Sequence, residues 1–182
     1  MTLNNKIQIP FKKFVQSAFK TSQEWLKVSQ IADELINYLR SESVLMEIEK
    51  ANIPGAHSSL IQSIILKKAN ELGFLNESAG LFIDYENKRL RPDYFLNLGT
   101  TGILIEVERG KTNQNNMDFL DIWKCHICKH AHYLFLFVPV ELRQNKSGKV
   151  VGRPFDMVSR HLNTFFIPEN YINVRGAVIV GY

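Results

Sequence analysis

Two cysteines in 182 residues, Cys125 and Cys128, give no basis for a disulfide framework, so a reducing, cytoplasmic setting is expected. No apolar run approaches the ~20 residues of a membrane span, and the start, MTLNNKIQIPFKKF, lacks the apolar core of a signal peptide. No internal repeat and no low-complexity tract interrupts the chain. Neither sign of charge dominates: the formal net charge is +4 and the pI is near 9.0. That balance allows a polyanionic partner without demanding one. What remains is an ordinary globular composition, 45% hydrophobic and 22% charged, in a length that suits one domain with a substantial core.

Hydrophobic spacing divides the chain. The first fifty residues read as helical: Phe11, Phe14, Val15, Ala18 and Phe19 make one apolar stripe, and Thr21-Ser22-Gln23-Glu24 is a capping-box pattern. The next stripe uses Trp25, Val28, Ile31, Leu35 and Leu39. After a break at residues 52–56, a serine caps a helix carrying Leu60, Ile61, Ile64, Ile65, Ala69 and Leu72, closed by Gly73. A strand over 81–85, a helix over 117–130, an interior strand over 133–138, a helix over 155–166 and a last strand over 174–180 follow.

The chemistry concentrates between Arg91 and Lys111. In residues 102–109, Ile103, Ile105 and Val107 alternate with Leu104, Glu106 and Glu108, a period-two strand pattern. Glu106 and Glu108 then share a face about 7 Å apart, at ~3.3 Å of rise per residue. Like charges on one face repel, so a cation, either a basic side chain or a divalent metal, is expected between them. The preceding run 93–98 turns back through Gly99-Thr100-Thr101-Gly102, a hairpin signal that can set Asp93 beside Glu106. Converging carboxylates suit Mg²⁺ or Mn²⁺, hard cations that take oxygen ligands and keep several waters. The plainer alternative makes Asp93 a turn cap and pairs the glutamates with Arg91, Lys88 or Arg109 on a wet sheet face.

The order helix, strand, strand, strand, helix, strand, with Pro92-Asp93 on the second strand and Glu106-Val107-Glu108 on the third, resembles the PD-(D/E)xK nuclease superfamily. The resemblance covers roughly residues 58–139, and its motif is short and degenerate. It implies an α/β fold with a restriction-endonuclease-like core, a mixed central sheet flanked by helices, and extra N-terminal helices. Residues 1–57 would be a helical extension, 58–139 the nuclease-like core, and 140–182 a helix and strand completing the sheet of a single domain. By the same resemblance Asp93 and Glu106 bind metal, while Glu108 stands where the family has its lysine. Glu108 is then a further metal or water ligand, or the mark of lost catalysis. Some family members supply the lysine from the following helix. Lys124 is the candidate there and Lys111 a weaker one, with an ordinary surface lysine the preferred reading of each. Gln62 aligns near an acidic position of the family and is an amide able to meet a metal water or phosphate. Arg109 and Lys111 are the phosphate-contact candidates.

The resemblance implies Mg²⁺-dependent cleavage of double-stranded DNA, by a homodimer because cutting two strands needs two sites. Another class competes: a nucleic-acid-binding or assembly module whose chemistry has lapsed. A third reading centres on residues 123–132, where Cys125 and Cys128 have the spacing of half a zinc site and His126 and His130 stand at i, i+4. Cys125 and His126 point about 100° apart on a helix, so core thiols are preferred over zinc ligands.

Overall fold

Strand β4, Gly102–Val107, shows the alternation that organises the molecule. Ile103, Ile105 and Val107 enter one apolar cluster while Leu104 enters another on the opposite side. The chain is an α/β fold seen in a computed structural model that describes residues 8–53, 58–76, 80–86, 90–108 and 116–182. Around β4 lie β1 (Phe11–Val15), β2 (Leu75–Asn76), β3 (Tyr94–Asn97), β5 (Tyr133–Val138) and β8 (Gly176–Gly181). They form a six-stranded mixed sheet in the order β1-β8-β5-β4-β3-β2. β4, β5 and β8 run parallel; β1 is antiparallel to β8, and β2 and β3 continue antiparallel beyond β4. A separate hairpin joins β6 (Leu142–Arg143) to β7 (Val150–Gly152).

Helices cover both faces. α1 (Gln23–Leu39), α2 (Glu42–Ala51) and α3 (Ser58–Glu71) supply Trp25, Val28, Leu35, Ile48, Ile61 and Ile65 to the cluster that also holds Tyr133, Phe135 and Phe137 of β5. α4 (Met117–Ile127) and α5 (Pro154–Phe165) cover the other face, packing Ile122, Val158 and Leu162 on Leu134, Leu136 and Ile179. β5 is apolar on both sides because it is covered on both sides. α3 ends in a Schellman motif: Gly73 sits at φ +88°, with Phe74 N–H bonded to Ala69 O and Gly73 N–H to Asn70 O. Among the described residues, no helix is long and apolar enough to cross a membrane.

Three expectations from spacing are corrected. Residues 11–15 form a strand, not the start of a helix; Val15 packs on one face and Phe14 on the other, which is period two. The Lys13 ammonium reaches from β1 to Asp33 Oδ1 at 2.7 Å and Ser29 Oγ at 2.6 Å on α1. Phe11, Phe14 and Val15 fit either period, and pairing with β8 decides between them. Residues 81–85 are turns rather than a strand. Phe82 and Tyr85 have ring centroids 4.8 Å apart, impossible at i, i+3 on a strand, where they would face opposite ways. The strand beside β3 is instead β2. Finally, the cap of α1 is Ser22 rather than Thr21, with its hydroxyl accepting the Trp25 N–H.

The β3–β4 hairpin tolerates no side chain at Gly102. A Cβ there would lie 2.4 Å from Phe95, 2.7 Å from Leu96 O and 2.8 Å from His130 O. Gly102→Ala is therefore expected to lower stability by about 2–3 kcal/mol, through overpacking against backbone that cannot yield. Chemical denaturation measures this; a cost below ~0.5 kcal/mol would show that the hairpin is looser than described.

Candidate active site

Helix α4 buries a face no ordinary amphipathic helix would choose. Asp118, Asp121 and Lys124 follow at three-residue spacing and are 1%, 0% and 7% exposed, beside fully buried Cys125. Charged residues go inside only when paired. Asp118 Oδ2 lies 2.6 Å from His161 Nδ1 of α5, whereas the partner of Lys124 comes from β4: Glu106, on the same side as Leu104, is itself 4% exposed and forms an ion pair with the Lys124 ammonium. The same ammonium stands 2.9 Å from Asp121 Oδ1. Neither oxygen of Asp121 accepts a well-aligned hydrogen bond among the described residues.

Asp93 arrives from the next strand. β3 and β4 pair Tyr94 with Ile105, and the same register carried one residue further sets Asp93 opposite Glu106. Its Oδ2 accepts the Val107 N–H at 2.7 Å, and its Oδ1 accepts from Gln62 Nε2 at 3.2 Å. Asp93 thus accepts from the backbone of β4, fourteen residues on, a bond different from the turn cap of the plainer reading. Gln62 touches Asp93 from α3, where it orients the carboxylate. Glu108 follows β4 directly. Its N–H donates to Phe137 O at 2.8 Å and its carbonyl accepts from Tyr182 Oη at 2.5 Å, which fixes the backbone while the side chain lies against Asp121.

The electrostatics are those of too many carboxyls around one ammonium. Burial, then the charge of Asp121, pushes Glu106 well above the usual carboxylate range, against the pull of Lys124. Burial and Asp121 lift Glu108 to about 7. Burial lifts Asp121 to about 6, opposed by Lys124. For Lys124, burial would lower the pKa, but the charges of Glu106 and Asp121 outweigh it and hold the ammonium above its ordinary value. The expectation of a surface lysine is overturned: Lys124 is the cation that the carboxylates require.

Glu108 has a consequence for stability. Unfolded, it ionises near 4.5; folded, near 7. Between those values the folded chain binds more protons, so stability present below the lower value is lost as pH rises through the window and stays lost above it. Glu108→Gln is expected to raise the melting temperature at pH 8 by about 2–4 °C and leave it unchanged at pH 4, allowing for partial solvent screening. Equal effects at both pH values would contradict this placement of Glu108.

Among the described residues, no three His, Cys, Asp or Glu side chains converge as a ready-made metal cage. Mg²⁺, however, is usually held by one or two carboxylates together with waters and substrate phosphate. Asp93 and Glu106 supply that donor chemistry, so the residues present fit such an ion once the Lys124 ammonium moves off Glu106. Arg109 and Lys111 lie outside the described residues, as do Lys88 and the polar residues 113–115 that precede α4; Asn116 is described, at φ +52°. Both thiols of the Cys125–Cys128 pair are buried in the second cluster, and burial pushes both upward. His126 Nδ1 accepts the Asn173 N–H at 3.0 Å.

Asp121 went unnoticed in the sequence. Its signal was present: Asp118, Asp121 and Lys124 occupy the inward positions of an amphipathic helix, beside Ile122 and Cys125. Compared with known proteins, the chain matches no family model and no curated protein.

Proposed function

We propose that the protein is a metal-dependent endonuclease that hydrolyses phosphodiester bonds of double-stranded DNA, on a restriction-endonuclease-like core. The observation carrying this reading is the meeting of Asp93 just before β3, Glu106 from β4 and Lys124 from α4, an acid–acid–lysine set whose lysine comes from the helix instead of the strand. Asp93 and Glu106 would hold Mg²⁺ or Mn²⁺ jointly with a phosphate oxygen. A bound divalent ion neutralises charge developing on phosphate oxygens and lowers the pKa of a bound water. Gln62 and the Val107 N–H keep the Asp93 carboxylate aimed, and Glu108 accepts a proton from the attacking water or positions it. Arg109 and Lys111 contact backbone phosphates. Cutting both strands calls for two such sites, so the working form is a homodimer in a reducing, cytoplasmic setting.

One observation favours a second reading. Lys124 occupies the cation position between Glu106 and Asp121, as it would in a fold that kept a permanent ion pair, lost its chemistry and retained DNA binding or an assembly role. Supercoiled plasmid incubated with the protein and Mg²⁺ or Mn²⁺ separates the two. Nicking that stops with EDTA supports the enzyme. A mobility shift without cleavage supports the binding module.

A further inference from the structure

The position of Lys124 and the state of Asp121 raise one question together. The ammonium lies against Glu106 and 2.9 Å from Asp121 Oδ1, while Asp121, fully buried beside the Glu108 side chain, has no aligned donor at Oδ2 among the described residues. A buried carboxylate oxygen left unsatisfied is costly, and such groups mark places where a partner arrives. Lysine carries its charge on a flexible four-carbon stem, so the ammonium can move several ångströms without disturbing α4. A divalent ion on Glu106 would bring a second positive charge against it, in a setting that screens poorly.

We propose that Lys124 is a displaceable internal counter-ion: it bridges Glu106 and Asp121 in the ion-free protein, and a divalent cation takes Glu106 by driving the ammonium off it and onto Asp121 alone. Asp121 is the receiving post. One turn before Lys124 on the same helix, it keeps the displaced ammonium tethered beside the site, and its open Oδ2 gains a partner in the process. Cation uptake is thereby coupled to a side-chain swing, and the ion-free cluster avoids the mutual repulsion of Asp93, Glu106, Glu108 and Asp121. The proposal rests on the cation-site reading above but not on cleavage.

The test uses the full chain without DNA, titrated with Mn²⁺ by calorimetry and followed by thermal melting. Lys124→Met is expected to bind Mn²⁺ about tenfold more tightly than the parent, because no resident charge must be evicted. Its lowered melting temperature is expected to recover when Mn²⁺ is added. Asp121→Asn is expected to bind Mn²⁺ about tenfold more weakly, since the ammonium then has nowhere to go. A purely structural role would lower stability in both variants without moving the affinities in opposite directions. Lys67→Met, at an exposed pair with Glu47, serves as the charge-matched control. Lys124→Met binding no tighter than the parent, or a Lys124→Met chain that Mn²⁺ cannot fold, overturns the proposal. Intact affinity shifts with no plasmid nicking would remove the nuclease reading alone; intact nicking with no shifts would remove only this one.

Discussion

Asp93→Ala protein is expected to nick supercoiled plasmid at least about 10³-fold more slowly than the parent in Mg²⁺, because a site stripped of one metal carboxylate loses roughly 4 kcal/mol of transition-state stabilisation. Binding to duplex DNA should survive, since the residues proposed for phosphate contact, Arg109 and Lys111, are left in place. Asp93 also accepts the Val107 N–H at 2.7 Å, so alanine leaves a backbone donor open. That loss costs about 1–3 kcal/mol of stability and must be separated from the loss of turnover. Asp93→Asn serves this purpose, as its amide oxygen still accepts from Val107 while the negative charge is gone. The pair of variants is read by nicking rate and gel mobility together. Undiminished nicking by Asp93→Ala would end the assignment.

Glu106→Ala is expected to destabilise the ion-free protein by about 3–5 kcal/mol, the cost of leaving a buried ammonium with half its partners. Urea denaturation measures it, with an unchanged slope showing that the midpoint alone has moved. The same reasoning gives an opposite result for the double variant Glu106→Leu with Lys124→Leu. Replacing both charges by apolar side chains removes both desolvation costs, so most of the loss should be recovered. Asp121 then lacks its ammonium, but burial already lifts it to about 6, so at pH 5 it carries a proton and the recovery should be larger than at pH 8. A cost below ~1 kcal/mol for Glu106→Ala, or a double variant as unstable as the sum of the singles, would show that Glu106 and Lys124 are not a coupled buried pair.

What the sequence disclosed and what it hid follow from the range of the forces. The alternation in residues 102–107 is local and unambiguous, and it located β4 with Glu106 on the correct face. The turn residues 99–102 fixed the β3–β4 register, which brings Asp93 to Glu106. The misread segment 11–15 carries an apolar pattern compatible with two periods, and only pairing with β8, more than 160 residues away, makes it a strand. In residues 81–85, Leu81, Phe82 and Tyr85 pack as turns in the second cluster while Ile83 is exposed; the Lys129 N–H donates to Tyr85 Oη, and no local signal separates that from a short strand. Lys124 was visible as a candidate, yet its burial depends on a glutamate eighteen positions earlier; charge balance across a helix–sheet interface cannot be read from one element. Asp121 was missed because an aspartate three residues before a lysine looks like an exposed helical pair until the strand beneath it is known to present Glu106.

The most direct test is anomalous diffraction from a crystal grown with a short DNA duplex and soaked in Mn²⁺. The expected result is a Mn²⁺ peak about 2.2 Å from carboxylate oxygens of Asp93 and Glu106, with the Lys124 ammonium withdrawn toward Asp121. No peak, with Lys124 still bridging Glu106 and Asp121 beneath an intact duplex, would contradict it.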